Sequence, residues 1–195
     1  MKRMVSALRM LAVLSLLTGL AYPGLMLAVG TFGFPDQAGG SLLYRDGRVV
    51  GSALLAQKFG DPRYFWPRPS AGDYATVPSG ASNLSPASKA LLANVAERNV
   101  ERNKEGGGRE MLFASGSGLD PDIAPESALA QIPRILKARD MDAAPGADKL
   151  KALVKQATQP RSLGFLGQER VNVLLLNLAL DDMAAGGKAG AAAGP

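Results

Sequence analysis

From Met10 to Pro35 the chain carries no charge, and Lys2, Arg3 and Arg9 stand just ahead of that gap. Residues 10–29 would form a helix about 30 Å long, which matches the hydrocarbon thickness of a bilayer. No later stretch is long and apolar enough to cross again. The apolar run exceeds the core of a secretory signal, and small residues at its end are badly placed for cleavage. A core helix of this length would ordinarily show a polar face. The pattern therefore predicts an α+β extracytoplasmic domain anchored by one N-terminal transmembrane helix. The division is a cytoplasmic N-terminus over 1–9, a membrane helix over 10–30, a periplasmic α+β domain over 31–182 and a disordered tail over 183–195. The three early cations orient the N-terminus to the cytoplasm by the positive-inside bias.

Beyond the helix the pattern changes repeatedly. Residues 41–53 alternate apolar and polar positions around Asp46-Gly47, a strong hairpin signal, and the second strand, 49–55, suits a central position. Residues 60–85 form a long loop with four prolines, carrying Tyr64-Phe65-Trp66 in its middle. Three adjacent aromatics need something to bury them. Ser85-Pro86 reads as an N-cap with proline at the first helical position, opening a helix to about residue 104. Glycines 106–108 end it, and 110–114 suit a strand. A second helix over 125–139 places Ile132, Ile135 and Leu136 toward the core and Gln131, Arg134 and Arg139 on a polar side. Pro133 predicts a kink or a start within it. A third helix covers 148–158, 163–167 turns the chain, and 171–177 reads as a buried strand leading into a short helix over 178–182.

Composition narrows the chemistry. The 195 residues include no cysteine and no histidine. Disulfides, zinc, haem and iron–sulfur sites lack their ligands, and a Ser-His-Asp triad cannot be assembled. Of the 22 basic residues three precede the apolar run, leaving 19 against 17 acidic ones, a balance that argues against a nucleic-acid partner. Glycines 106–108 lack the flanking strand and Gly-Lys-Ser/Thr of a phosphate cradle, and Asp120 with Asp122 falls short of an EF-hand loop. The remaining enzymatic reading is a membrane-tethered periplasmic enzyme using Asp120 or Asp122 as acid or base, and a solute-binding module is a third. Within the apolar helix, Ser15 and Gly19 have small-xxx-small spacing, with Tyr22 close by, so another helix could approach there.

Six ordered segments carry a resemblance. They are Gly51-Ser52-Ala-Leu-Leu-Ala-Gln57, Tyr64-Phe65-x-x-Arg68-Pro69-Ser70-Ala71, Ser79-Gly-Ala-Ser-Asn83-Leu84, Ala114-Ser115-Gly-Ser117-Gly-Leu-Asp120-Pro121, Gln131-Ile-Pro-Arg134 with Ala138-Arg139, and Val171-Asn172-Val173 with Leu176-Asn177. Together with the topology they make the chain closely resemble the KdpC family, the C subunit of the bacterial Kdp potassium-transporting P-type ATPase. Ala56 and Ala81 stand where the family usually has glycine, and 141–146 is unlike the usual family sequence.

The resemblance implies a non-catalytic accessory subunit in the bacterial inner membrane. Its expected partners are a channel-like potassium-translocating subunit, a P-type ATP-hydrolysing subunit and the lipid bilayer. ATP and potassium would act at the level of the complex, with none bound directly by this chain. The family is commonly described as a catalytic chaperone that raises ATP affinity in the hydrolysing subunit. With only 1–9 in the cytoplasm, that effect is expected to be indirect. Expected contact residues in the membrane are Ser15, Gly19 and Tyr22. Outside it, partner-contact or loop-structuring roles are expected for Ser52, Gln57, Arg68, Asn83, Ser115, Ser117, Asp120, Gln131, Arg134, Asn172 and Asn177. Arg68 and Arg134 have an internal alternative, pairing with Asp120 or other carboxylates.

Overall fold

The computed structural model describes residues 1–141 and 143–191, in two compact units that divide after Ser52. In the first unit, α1 (Lys2–Leu16), a π-turn (Leu17–Ala21) and α2 (Tyr22–Gly33) run on as a single apolar helix. This 32-residue helix is the only one, among the described residues, long and apolar enough to cross a membrane, and none of its crossing window is buried. Pro23 explains the wide turn. Proline offers no N–H to the carbonyl of Gly19 and its ring crowds that carbonyl. The chain opens instead, and the Tyr22 N–H reaches Leu17 O, five residues back.

A single turn, α3 (Pro35–Ala38), leads into the hairpin β1 (Leu42–Arg45) and β2 (Arg48–Ser52). Asp46 and Gly47 both take positive φ, 51° and 74°, as a type I′ turn requires. The expected turn is there, but the second strand stops at Ser52 and pairs only with β1, so it is not central.

The second unit opens with residues 53–88, which hold no helix or strand. Next come α4 (Lys89–Glu105) and a 3-10 turn (Arg109–Leu112). Ser85 and Pro86 form a separate turn in which Ser85 O accepts the Ser88 N–H at 2.9 Å, so the helix starts later than expected. The strand expected at 110–114 is replaced by the 3-10 turn, because a lone apolar stretch of five residues has no neighbouring strand to pair with.

Around the core stand β3 (Asp122–Ile123), α5 (Pro125–Ala138), α6 (Ala143–Ala157), β4 (Thr158–Gln159), β5 (Arg170–Asn172) and α7 (Val173–Ala191). The small sheet is antiparallel in the order β3-β5-β4. Ile123, Ile132, Ile135, Leu150, Val154, Val171, Leu176 and Leu180 form the core, and Phe65 enters it from the long loop. No helix starts at Pro133: α5 passes through it with Pro133 on the exposed face, where water can serve the carbonyl left without a partner.

The run 171–177 is not one strand. It becomes helix at Val173, because Val173, Leu176, Asn177 and Leu180 are buried at helical spacing. Asn172 makes the switch by accepting the Leu175 N–H at 3.1 Å, as an N-cap does. The final helix continues to Ala191, through most of the segment expected as a disordered tail, while residues 192–195 lie outside the described residues.

Candidate functional site

An irregular backbone inside a fold must still find partners for every N–H and C=O. Residues 62–66 do so without secondary structure, through side chains of α5 and α7. Arg134 donates to Pro62 O at 2.7 Å and Tyr64 O at 3.0 Å. Arg139 donates to Arg63 O at 2.8 Å. Gln131 accepts from Trp66 N at 2.8 Å and donates to Trp66 O at 3.1 Å. Asn177 repeats that two-way bond on Phe65, at 2.8 and 2.9 Å. Asp61 takes the remaining N–H groups, of Arg63 through its carboxylate and of Tyr64 through its carbonyl.

The side chains of this clamp support one another. Arg134 also donates to Gln131 Oε1 at 2.7 Å and lies 3.8 Å over the Trp66 ring. Arg139 pairs with Asp181 at 2.9 Å, and Asp181 accepts the Tyr64 hydroxyl proton at 3.0 Å. Burial and the neighbouring Asp181 push the Tyr64 hydroxyl above its usual range, so it stays a donor. The hydrogen bond from Arg63 holds Asp61 down at about 2.

A polar cleft of about 260 Å³ lies nearby, lined by Arg68, Glu110, Asp120, Asp122, Glu169 and Arg170 among others. Arg68 reaches Asp120 at 3.3 Å, and Arg170 reaches Asp122 at 3.2 Å. Asp120 also accepts the Asp122 N–H, and Glu110 accepts the Ala124 N–H. Burial pushes the Asp122 carboxyl up, against the pull of Arg170. Both aspartates are thus engaged by guanidinium groups, and Asp120 by a backbone N–H as well. Beside the cleft, the Tyr74 hydroxyl donates to Arg68 O at 3.0 Å, and burial next to Asp73 raises it to about 12.

With this geometry in place, the comparisons decide the lineage. Residues 4–182 match the KdpC family, described as the c chain of the K+-transporting ATPase. The chain belongs to the KdpC family. It is 49% identical over 193 residues to a potassium-transporting ATPase KdpC subunit of Gemmatimonas aurantiaca, covering 95% of each chain. Relatives of the same name in Cereibacter sphaeroides and Geobacter sulfurreducens are 47% and 45% identical, covering 90% and 94% of this chain and 94% and 99% of theirs.

In this KdpC-family chain, six of the eleven residues expected in partner-contact or loop-structuring roles outside the apolar helix are buried. Gln131 and Arg134 are buried, at 1% and 8% exposure, not on a polar side of α5. Asn172 donates to Ala53 O at 2.8 Å besides capping α7, and Asn177 is held on Phe65. Ser52 is buried and donates to Gly40 O at 2.7 Å, closing the base of its hairpin. Ser115 is buried, its N–H bonded to Pro69 O, while Ser117 caps the turn at Leu119. Arg68 and Asp120 pair with each other, the internal alternative, and Arg134 bonds an amide oxygen and backbone carbonyls.

Gln57 is half-buried beside Ala56, whose N–H bonds to Leu119 O. Asn83 remains exposed, with φ of 52°, and Ser15, Gly19 and Tyr22 are exposed along the apolar helix. Sequence reading missed Asp61 and Asp181 in the clamp. The available signal was the buried aromatic triplet, whose backbone needed partners close by.

Proposed function

We propose that this chain is a non-catalytic accessory subunit of an ATP-driven potassium uptake complex. Its apolar helix spans the inner membrane once, the N-terminus is cytoplasmic and the second unit lies outside, at the potassium entrance. Its partners are a channel-like potassium-translocating subunit and a P-type ATP-hydrolysing subunit. Any effect on ATP affinity is transmitted through the assembly, because the folded second unit lies on the side of the membrane away from cytoplasmic ATP. Family membership and the charge asymmetry of the apolar helix support this reading.

One observation carries the accessory role outside the membrane: no residue from 71 to 100 is buried. This stretch includes most of α4, where Leu92 and Val100 are 60% and 54% exposed and Ala96 lies between them at four-residue spacing. A helix of this length is marginal in water without packing of one face. A second helix or a groove on a partner subunit supplies the missing cover. Extraction in mild detergent is expected to recover the channel-like and ATP-hydrolysing subunits with this chain. Leu92→Asp with Val100→Asp is expected to release them while the chain keeps its helical spectrum. Recovery of the chain alone from wild-type membranes would count against the reading.

A further inference from the structure

Between β4 and β5 the chain leaves the fold. Every residue from 159 to 170 is exposed, although both ends are pinned in the sheet by the Thr158–Val171 and Gln159–Arg170 pairings. Ser162 and Leu166 pair again further out, with bonds of 2.9 Å in both directions, so the excursion is a hairpin and not a slack loop. Leu163 and Gly164 turn its end with φ of 55° and 82°. The tip reads Leu163-Gly164-Phe165-Leu166, and its three apolar side chains are 82%, 70% and 50% exposed.

Single exposed apolar residues are ordinary, but three in four positions on a projecting turn are not. The shape is convex, so it enters something rather than receives it. The charges near it choose the host. Arg161 on the hairpin and Lys155 on α6 beside its root are exposed and, among the described residues, make no ion pair or side-chain hydrogen bond, while the hairpin's one acid, Glu169, sits at the root beside Lys155 and away from the tip. The hairpin's other cation, Arg170, is engaged by Asp122. An apolar tip with free cations behind it complements an interface whose interior is hydrocarbon and whose rim is anionic.

We propose that the 160–169 hairpin seats Leu163, Phe165 and Leu166 in an anionic phospholipid leaflet, with Arg161 and Lys155 at the phosphate level. This surface is separate from α4 and does not depend on the potassium-uptake reading. A protein pocket is the competing host, and one probe distinguishes them.

Because the chain contains no cysteine, Leu163→Cys gives a single site for an environment-sensitive fluorophore. The labelled full chain is reconstituted alone in nanodiscs of phosphatidylcholine with or without phosphatidylglycerol. The expected result is a blue-shifted emission in the anionic discs, quenched by lipids brominated high on the acyl chain. The shift should be lost in high salt and in the Arg161→Glu, Lys155→Glu background. A matching probe at Val77→Cys, which is 89% exposed, reports water throughout. The proposal is overturned if the two probes behave alike, or if the shift ignores headgroup charge. It is overturned equally if the shift arises only in native membranes and resists lipid-borne quenchers, which would identify a protein pocket.

Discussion

Residues 61–66 and residues 71–100 lie in the same folded unit, and their burial is opposite. The first stretch has no regular structure, yet from Pro62 to Trp66 every backbone group has a partner, and Phe65 is fully buried. The second contains most of a 17-residue helix, yet none of its residues is fully buried. Regularity of backbone is therefore a poor guide to what is held here. What differs is the supply of buried side-chain donors and acceptors: Gln131, Arg134, Arg139 and Asn177 face one stretch. By contrast, α4 rests mainly on its own half-buried side and on a bond from Arg98 to Leu112 O.

The contrast predicts a steep gradient of mutational cost. Arg134→Met keeps most of the volume but strips partners from Pro62 O, Tyr64 O and Gln131 Oε1 together. The expected loss is about 3 kcal/mol, read as a lower melting temperature of the extracted chain. Asn177→Leu leaves the Phe65 N–H and C=O buried and unpaired, at an expected cost of about 2 kcal/mol. If either variant melts like wild type, the clamp does not hold residues 61–66 in place. Leu92→Asp, by comparison, should change stability by less than about 0.5 kcal/mol, because the site is already in water. A large loss there would mean that α4 is held by the fold itself, and the two stretches would no longer differ.

The sequence revealed the local signals well and the long-range ones poorly. Asp46-Gly47 located its hairpin because the turn's positive φ demands are met by adjacent residues. The apolar helix was equally plain, since twenty uncharged residues have few alternatives. Gln131 and Arg134 misled for a physical reason. Polarity normally marks a solvent face, but a helix packed against an irregular loop needs polar groups on its inner side. Nothing local in 131–134 says that a loop some 65 positions earlier will lie there. The 171–177 run misled because Val and Leu suit a buried strand or a buried helix equally. The choice was made by Asn172, a capping residue whose role shows only once the strand ends. Of the expected contact residues, those left exposed outside the apolar helix are the loop positions Asn83 and Ser117, and for such residues exposure is decided by packing elsewhere.

The smallest expected effect concerns two acids of this folded unit, one in the held stretch and one on β3, that move in opposite directions. Asp61 has a carboxyl lowered from 3.8 to about 2, chiefly by its hydrogen bonds from Arg63. Between those values the unfolded chain binds more protons than the folded one, so stability falls as pH drops through that window. Asp122 is raised above 3.8 by burial, with Arg170 opposing and Asp120 adding to the rise. Above 3.8 and up to its raised value, the folded chain holds the extra proton, so stability falls as pH climbs. The two contributions therefore lie on opposite sides of 3.8, and melting temperature against pH should separate them. Asp61→Asn should flatten the acid limb below that point and leave the other unchanged. Asp122→Asn should flatten the limb above it. Both changes will be small, because Asp61 is solvent-exposed and Asp122 only partly buried, and solvent screens such groups. If Asp61→Asn altered the upper limb instead, the Arg63 pairing would not be what lowers its carboxyl. The anchor that Asp61 provides at the start of the clamped segment would then rest on its backbone carbonyl alone.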